Sequence, residues 1–257
     1  MQNLAVTLIQ CELAWEQPDD NRHQIGEIID QLEHSTDLIV LPEMFTTGFS
    51  MNALANAELP DGATEHWLLS IARERDCAIT GSVAVREGDS VYNRMLFATP
   101  SGIQHYDKRH LFRMAGEDKR YRAGRERVIV NWRDWRINLQ VCYDLRFPVF
   151  SRNRDDYDLL LYVANWPAQR RYHWRQLLIA RAIENLSYVV GVNRIGADAK
   201  GLQYSGDSLA IAADGEVLVD ALDTDCAAQV TLDSAALQSY RKGFPCQLDA
   251  DNFLLQD

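Results

Sequence analysis

The chain has 257 residues, 47% of them hydrophobic, enough to bury a sizeable core. Its 37 acidic residues against 26 basic ones leave a formal charge of −11, which argues against a nucleic-acid or anionic-membrane partner. Five scattered cysteines (Cys11, Cys77, Cys142, Cys226, Cys246) with no CxxC pair, no signal segment and no apolar run of ~18 residues together lead to the expectation of a soluble, cytoplasmic protein without a disulfide framework or structural zinc.

Apolar, β-branched runs of strand length recur along the whole chain. Leu4–Gln10 is the first, followed by a helical pattern through "NRHQIGEIIDQLEHS" with Ile25, Ile28, Ile29 and Leu32 on one face. "DLIVLPE" reads as a buried strand running into Pro42 and Glu43, and "DGATEHWLLSIARERD" as a helix with Trp67, Leu68 and Ile71 turned inward. "CAITGSVAVRE", "VYNRMLFATP" and "IQHYDK" are three strands with no room for helices between them. "RVIVNWR" and "WRINLQVCYD" pair across a short turn, and a mixed polar helix precedes "DLLLYVANWP". "RRYHWRQLLIARAIEN" is a helix presenting Trp174, Leu177, Leu178, Ala182 and Ile183 together. "SYVVGVNRIG", "SGDSLAIAADGEVLVDA" with a hairpin turn at Asp214–Gly215, and "CAAQVTLD" finish the strands; a helix over 234–241 leads to a tail over 247–257. Buried parallel-type strands alternating with helices, plus inserted hairpins, predict an α/β protein with two mixed sheets sandwiched between helix layers, as one domain over 1–257.

Catalytic groups in α/β folds gather beyond the carboxyl ends of strands. Glu43, Lys108 and Cys142 each sit at such an end. Singly, each has a plain structural reading: a helix cap, a solvated loop lysine, a core thiol. Together they make chemical sense. A thiol is mostly protonated at neutral pH and needs a base or a cation to attack a carbonyl. A carboxylate in an apolar strand mouth can take and return protons, and an ammonium stabilises a thiolate and then an oxyanion. The backbone N–H of Tyr143 is a second oxyanion donor if the chain turns sharply after the thiol. Two other cysteine chemistries fit less well: a phosphatase loop spaces its Cys and Arg further apart than Cys142 and Arg146, and no histidine lies in a recognised protease signature.

"LPEMF", "YDKRHLF" and "VCYDLRFP" resemble, in order and spacing, the Glu, Lys and Cys blocks of the nitrilase (carbon–nitrogen hydrolase) superfamily, with "NWP" and "ARAIEN" as two further blocks. The wording of the three blocks is most similar to the bacterial omega-amidase branch. The resemblance implies a four-layer α-β-β-α sandwich that forms a homodimer and uses neither metal nor organic cofactor. It also implies Cys142 as nucleophile, Glu43 as general base, Lys108 as oxyanion-stabilising cation and a supporting glutamate between the last two blocks, for which Glu117 is the match and Glu126 the alternative. The implied activity is hydrolysis of the terminal amide of small 2-oxo dicarboxylic acid monoamides through a thioester. Another amidase branch, acting on deaminated glutathione or N-carbamoyl amino acids, and a non-catalytic dimeric scaffold are the alternatives. The distal carboxylate of such a substrate wants a guanidinium. Arg146 and Arg113 are the first candidates, Arg170 and Arg171 later ones, and Phe45, Tyr143 and Trp166 are candidate pocket walls.

Overall fold

In the computed structural model, which describes residues 1–255, the first half of the chain builds one sheet and the second half another. The first sheet takes β1 (Leu4–Gln10), β2 (Leu38–Val40), β3 (Ala78–Glu87), β4 (Ser90–Thr99) and β5 (Gly102–Asp107). The second takes β6 (Ile129–Trp132), β7 (Trp135–Val141), β8 (Leu159–Ala164) and β9 (Tyr188–Asn193). A small ribbon of β10 (Ile195–Ala197) and β11 (Gln203–Ser205) follows; β12 (Leu209–Ile211) and β13 (Val217–Asp220) then return to the second sheet. The last strand, β14 (Cys226–Leu232), crosses back to the first sheet and pairs antiparallel with β1. The orders are β14-β1-β2-β3-β4-β5 and β13-β12-β9-β8-β7-β6, each with a parallel centre (β1-β2-β3 and β7-β8-β9) and antiparallel edges.

Period-two alternation decides how the sheets stack. Leu4, Val6, Leu8, Leu38 and Val40 turn to the second sheet and share a core with Ile137, Leu139, Val141 and Leu161. Ile9 and Ile39 turn the other way, onto Ile25 and Ile29 of helix α1 (Pro18–Asp30). After the single turn α2 (Ala53–Asn56), helix α3 (Ala63–Arg75) adds Leu68 and Ala72 to that outer layer. The short helix α4 (Pro148–Ser151) precedes helix α5 (Arg171–Asn185), which covers the second sheet with Trp174, Leu178 and Ala182. Each fully buried leucine, isoleucine or valine of these layers contributes about 1.5–3 kcal/mol by leaving water. Helix α6 (Ser234–Gly243) is capped by Asp233, which accepts the N–H groups of Ala235 and Ala236.

These layers give the expected sandwich, with local differences. Ile183, expected on the buried face of α5, lies 47% exposed. "SYVVGVNRIG" is not one strand. It breaks at Arg194, which is fully buried, donates to the carbonyls of Ile195, Ala197 and Leu13, and lies over the ring of Tyr204. Of the tail expected over 247–257, residues 256 and 257 lie outside the described residues. Among the described residues no helix is long and apolar enough to cross a membrane.

Candidate active site

β2 and β5 run the same way through the first sheet, as do β7 and β8 through the second, and the residues just past their carboxyl ends meet at one place. Glu43 follows β2, Lys108 follows β5, Cys142 follows β7 and Asn165 follows β8. Lys108 Nζ lies 2.8 Å from Glu43 Oε1 and 3.1 Å from both carboxylate oxygens of Glu117. Asn93, in the middle of β4, donates its amide to Glu43 Oε1 at 2.8 Å and to Glu117 Oε1 at 3.2 Å. The N–H of Asn165 holds the second oxygen of Glu43 at 2.8 Å. All of these side chains are buried.

The thiol sits at the edge of this ionic cluster, within the electrostatic reach of Glu43, and donates to the carbonyl oxygen of Asn165 at 4.0 Å. Burial first, and the charge of Glu43 second, push it well above the ordinary thiol range, against the pull of Lys108. The resting site therefore holds a protonated thiol beside its base. Burial opposes the charge of Lys108, but Glu117 and Glu43 outweigh it and raise the ammonium above its usual value. Glu117 is pushed up by burial, with Lys108 and the N–H of Phe112 (2.6 Å from Oε2) working the other way.

Cys142 adopts φ +46°, a left-handed conformation that costs a non-glycine residue about 1–3 kcal/mol. That turn starts the short 3₁₀ helix Cys142–Arg146 immediately after β7, so Tyr143 lies in the first turn, where N–H groups have no intrahelical acceptor.

Above the thiol opens a cavity of about 220 Å³, walled by Phe49, Phe112, Trp166 and Tyr204, with Arg146 and Arg170 on its lining. Arg146 lies over the Trp166 ring at 4.9 Å and Arg170 over the Phe112 ring at 5.5 Å. Among the described residues neither guanidinium has a carboxylate within salt-bridge distance, although the chain is rich in acids. Burial, and then repulsion from Arg170, lower the pKa of Arg146.

The structure brings together Glu43, Lys108, Cys142, Glu117, Tyr143, Arg146 and Trp166. Glu117 is buried on Lys108, whereas Glu126 is exposed. Three expected residues lie elsewhere. Phe45 is fully buried on the far side of the first sheet, against Trp67, its N–H tied to the carbonyl of Ser82 in β3. Arg113 points into solvent and pairs with Asp118, although its neighbours Phe112 and Met114 line the cavity. Arg171 pairs with Asp207. Arg146 makes no internal pair with Asp144; its nearest polar partner is His173 Nδ1 at 3.0 Å. Sequence reasoning missed Asn93 and Tyr204. A lone polar residue inside the apolar run "VYNRMLFA" was the available signal for Asn93.

The sequence profile described as "Carbon-nitrogen hydrolase" matches residues 5–242. The chain belongs to this family. It is 50% identical over 260 residues to the omega-amidase YafV of Escherichia coli strain K12, covering 99% of this chain and 100% of the relative. It is 34% identical over 221 residues to the 2-oxoglutaramate amidase of Bacillus subtilis, covering 84% and 85%. Among solved structures, a carbon-nitrogen hydrolase superfamily protein of Xanthomonas campestris superposes with a TM-score of 0.97 at 48% identity over all of both chains, and carries an arsenic adduct in its active site. As a carbon-nitrogen hydrolase the chain shares with such relatives the sandwich whose two sheets converge on this cluster.

Proposed function

We propose that this carbon-nitrogen hydrolase is an omega-amidase, releasing ammonia from the terminal amide of a short 2-oxo dicarboxylic acid monoamide such as 2-oxoglutaramate. The observation that carries this reading is the pairing of a buried Glu43–Lys108–Cys142 cluster with a small aromatic cavity bearing two guanidiniums without internal carboxylate partners. The amide end enters toward the thiol and the distal carboxylate meets Arg146 and Arg170. The names of the relatives, omega-amidase and 2-oxoglutaramate amidase, support the same substrate class.

In the reaction, Glu43 takes the thiol proton as the sulfur attacks the amide carbon. The tetrahedral oxyanion is held by the Lys108 ammonium and the Tyr143 N–H. On collapse the C–N bond breaks, Glu43 passes its proton to the leaving nitrogen, and ammonia departs from a Cys142 thioester. A water then gives a proton to Glu43 and its hydroxide attacks the thioester carbon. Collapse breaks the C–S bond, the carboxylic acid leaves, and the proton on Glu43 returns to sulfur. Glu117 and Asn93 fix Lys108 and Glu43 throughout. The reading includes a homodimer, for which Val149, Tyr172 and Ile183 supply apolar side chains at the surface.

The test is hydrolysis of 2-oxoglutaramate, glutamine, an N-carbamoyl amino acid and a simple nitrile, scored by ammonia release, and of deaminated glutathione, scored by release of its dipeptide amine, by the wild type and by Cys142→Ala. The expected result is a clear preference for 2-oxoglutaramate, and a folded Cys142→Ala protein that turns over none of them. Preference for another amide would discard the substrate assignment, and turnover by Cys142→Ala would discard the nucleophile.

A further inference from the structure

A third buried carboxylate lies near the nucleophile and takes no part in the steps above. Asp144 is fully buried, and both of its oxygens are engaged. Oδ2 accepts the Tyr106 hydroxyl at 2.8 Å and the Val141 N–H at 2.9 Å. Oδ1 accepts the N–H of His110 at 3.0 Å and pairs with His110 Nδ1 at 2.7 Å. The Tyr106 hydroxyl in turn accepts the N–H of Arg109 at 3.1 Å. The His110 ring is stacked on Phe147 at 3.9 Å, which fixes its plane.

These partners come from two places. Tyr106, Arg109 and His110 bracket Lys108 at the end of the first sheet's edge strand; Val141 precedes Cys142 at the end of a central strand of the second sheet. No backbone ladder joins these two strand ends, since they belong to different sheets. Cys142 also sits in a left-handed conformation that persists only where its surroundings hold it. We propose that Asp144 is a positioning residue: by fastening the Lys108 segment to the Cys142 turn, it sets the distance between the ammonium and the thiol. The proposal rests on the reading of Cys142 and Lys108 given above.

Asp144→Asn tests it, because the amide keeps the shape but turns an N–H₂ group against one set of donors. Tyr106→Phe removes one bond to the same carboxylate and serves as the milder second variant. Three readouts are needed: the pre-steady-state rate of ammonia release with kcat and KM, the rate of Cys142 alkylation by iodoacetamide at fixed pH, and the thermal midpoint. For Asp144→Asn the first turnover is expected to slow by about 10²-fold, the cost of a small misplacement of reacting groups, while KM stays within about twofold. Alkylation is expected to slow as well, by about tenfold, because the ammonium no longer sits where it favours the thiolate. Tyr106→Phe should lose about fivefold in kcat, in keeping with one buried hydrogen bond.

Wild-type rates in a folded Asp144→Asn protein, a rise in KM alone, or a lowered thermal midpoint with unchanged rates would each overturn the proposal. If Asp144→Asn does not fold, Tyr106→Phe decides, and wild-type rates in that variant refute it. Failure of the wild type to hydrolyse any of the amides would fall on the substrate reading instead, because alkylation scores the geometry at Cys142 without a substrate.

Discussion

Arg146 and Arg170 differ from the chain's other arginines near the site in what they face. Arg113 and Arg171 are neutralised by Asp118 and Asp207, whereas the two cavity guanidiniums rest on aromatic faces without a carboxylate partner among the described residues, Arg146 engaging only His173 with one of its N–H groups. Two cations held side by side repel, which an anionic substrate relieves. A hydrogen bond to a charged partner contributes about 1.5–3 kcal/mol, so Arg170→Gln or Arg146→Gln should raise KM for 2-oxoglutaramate by roughly 10- to 100-fold, with kcat changed far less. A short neutral amide should show no such rise. If KM for the neutral amide rises equally, the guanidiniums shape the wall and do not read the carboxylate. Arg133 gives the contrast from elsewhere in the fold: it is tied to both Asp37 and Asp76, and so joins the β6–β7 turn to the segments before β2 and after α3.

At the scale of elements, the decisive piece is the end of β5. The backbone of Lys108 is held on both sides, its N–H by the carbonyl of Asn93 and its carbonyl by the N–H of Gly124, each at 2.9 Å. Gly124 approaches so closely that a Cβ there would overlap the carbonyl oxygen of Asp107. Gly124→Ala must therefore part the loop from the strand end, and turnover should fall by about tenfold or more even in a folded protein. Wild-type turnover would show that the loop yields and Lys108 does not. The strands and helices themselves were legible, because Leu4, Val6 and Leu8 alternate and Leu68 and Ala72 repeat at helical spacing. Glu43, Lys108 and Cys142 were legible because each ends an apolar run. The ribbon of β10 and β11 was not: its break at Arg194 depends on carbonyls and a tyrosine ring brought from elsewhere in the fold. Nor was the role of Asn93 or Asp144, since the letters do not say which way a mid-strand amide or a turn carboxylate points. Phe45 misled for the same reason, as its ring turns to the opposite face of the sheet.

At the scale of the whole molecule, buried thiols set an alkaline limit. Burial raises Cys11 to about 12 and Cys77 to about 11, from an ordinary value of 9.0, and Cys142 rises as well. A thiol whose folded value is raised contributes stability that is complete below the unfolded value and is lost as pH climbs through the folded one. Between pH 9 and 11 the unfolded chain gains by ionising these thiols and the folded chain does not. The thermal midpoint of the wild type should thus fall more steeply over that window than that of a Cys11→Ala, Cys77→Ala double variant; an offset constant with pH would refute it. The site itself lies on the seam between the two sheets, where other enzymes often place a hinge. Here β14 returns to pair with β1 after the chain has built the second sheet, so the sheets are laced together by the connection after β5 and again by the one before β14. Opening the seam would strain both crossings at once. The cavity is bordered instead by Phe112 and Met114 and by Asp198, Lys200 and Leu202 at the tip of the β10–β11 ribbon, so that loops form its rim while the thiol, the ammonium and the carboxylate stand on strand ends.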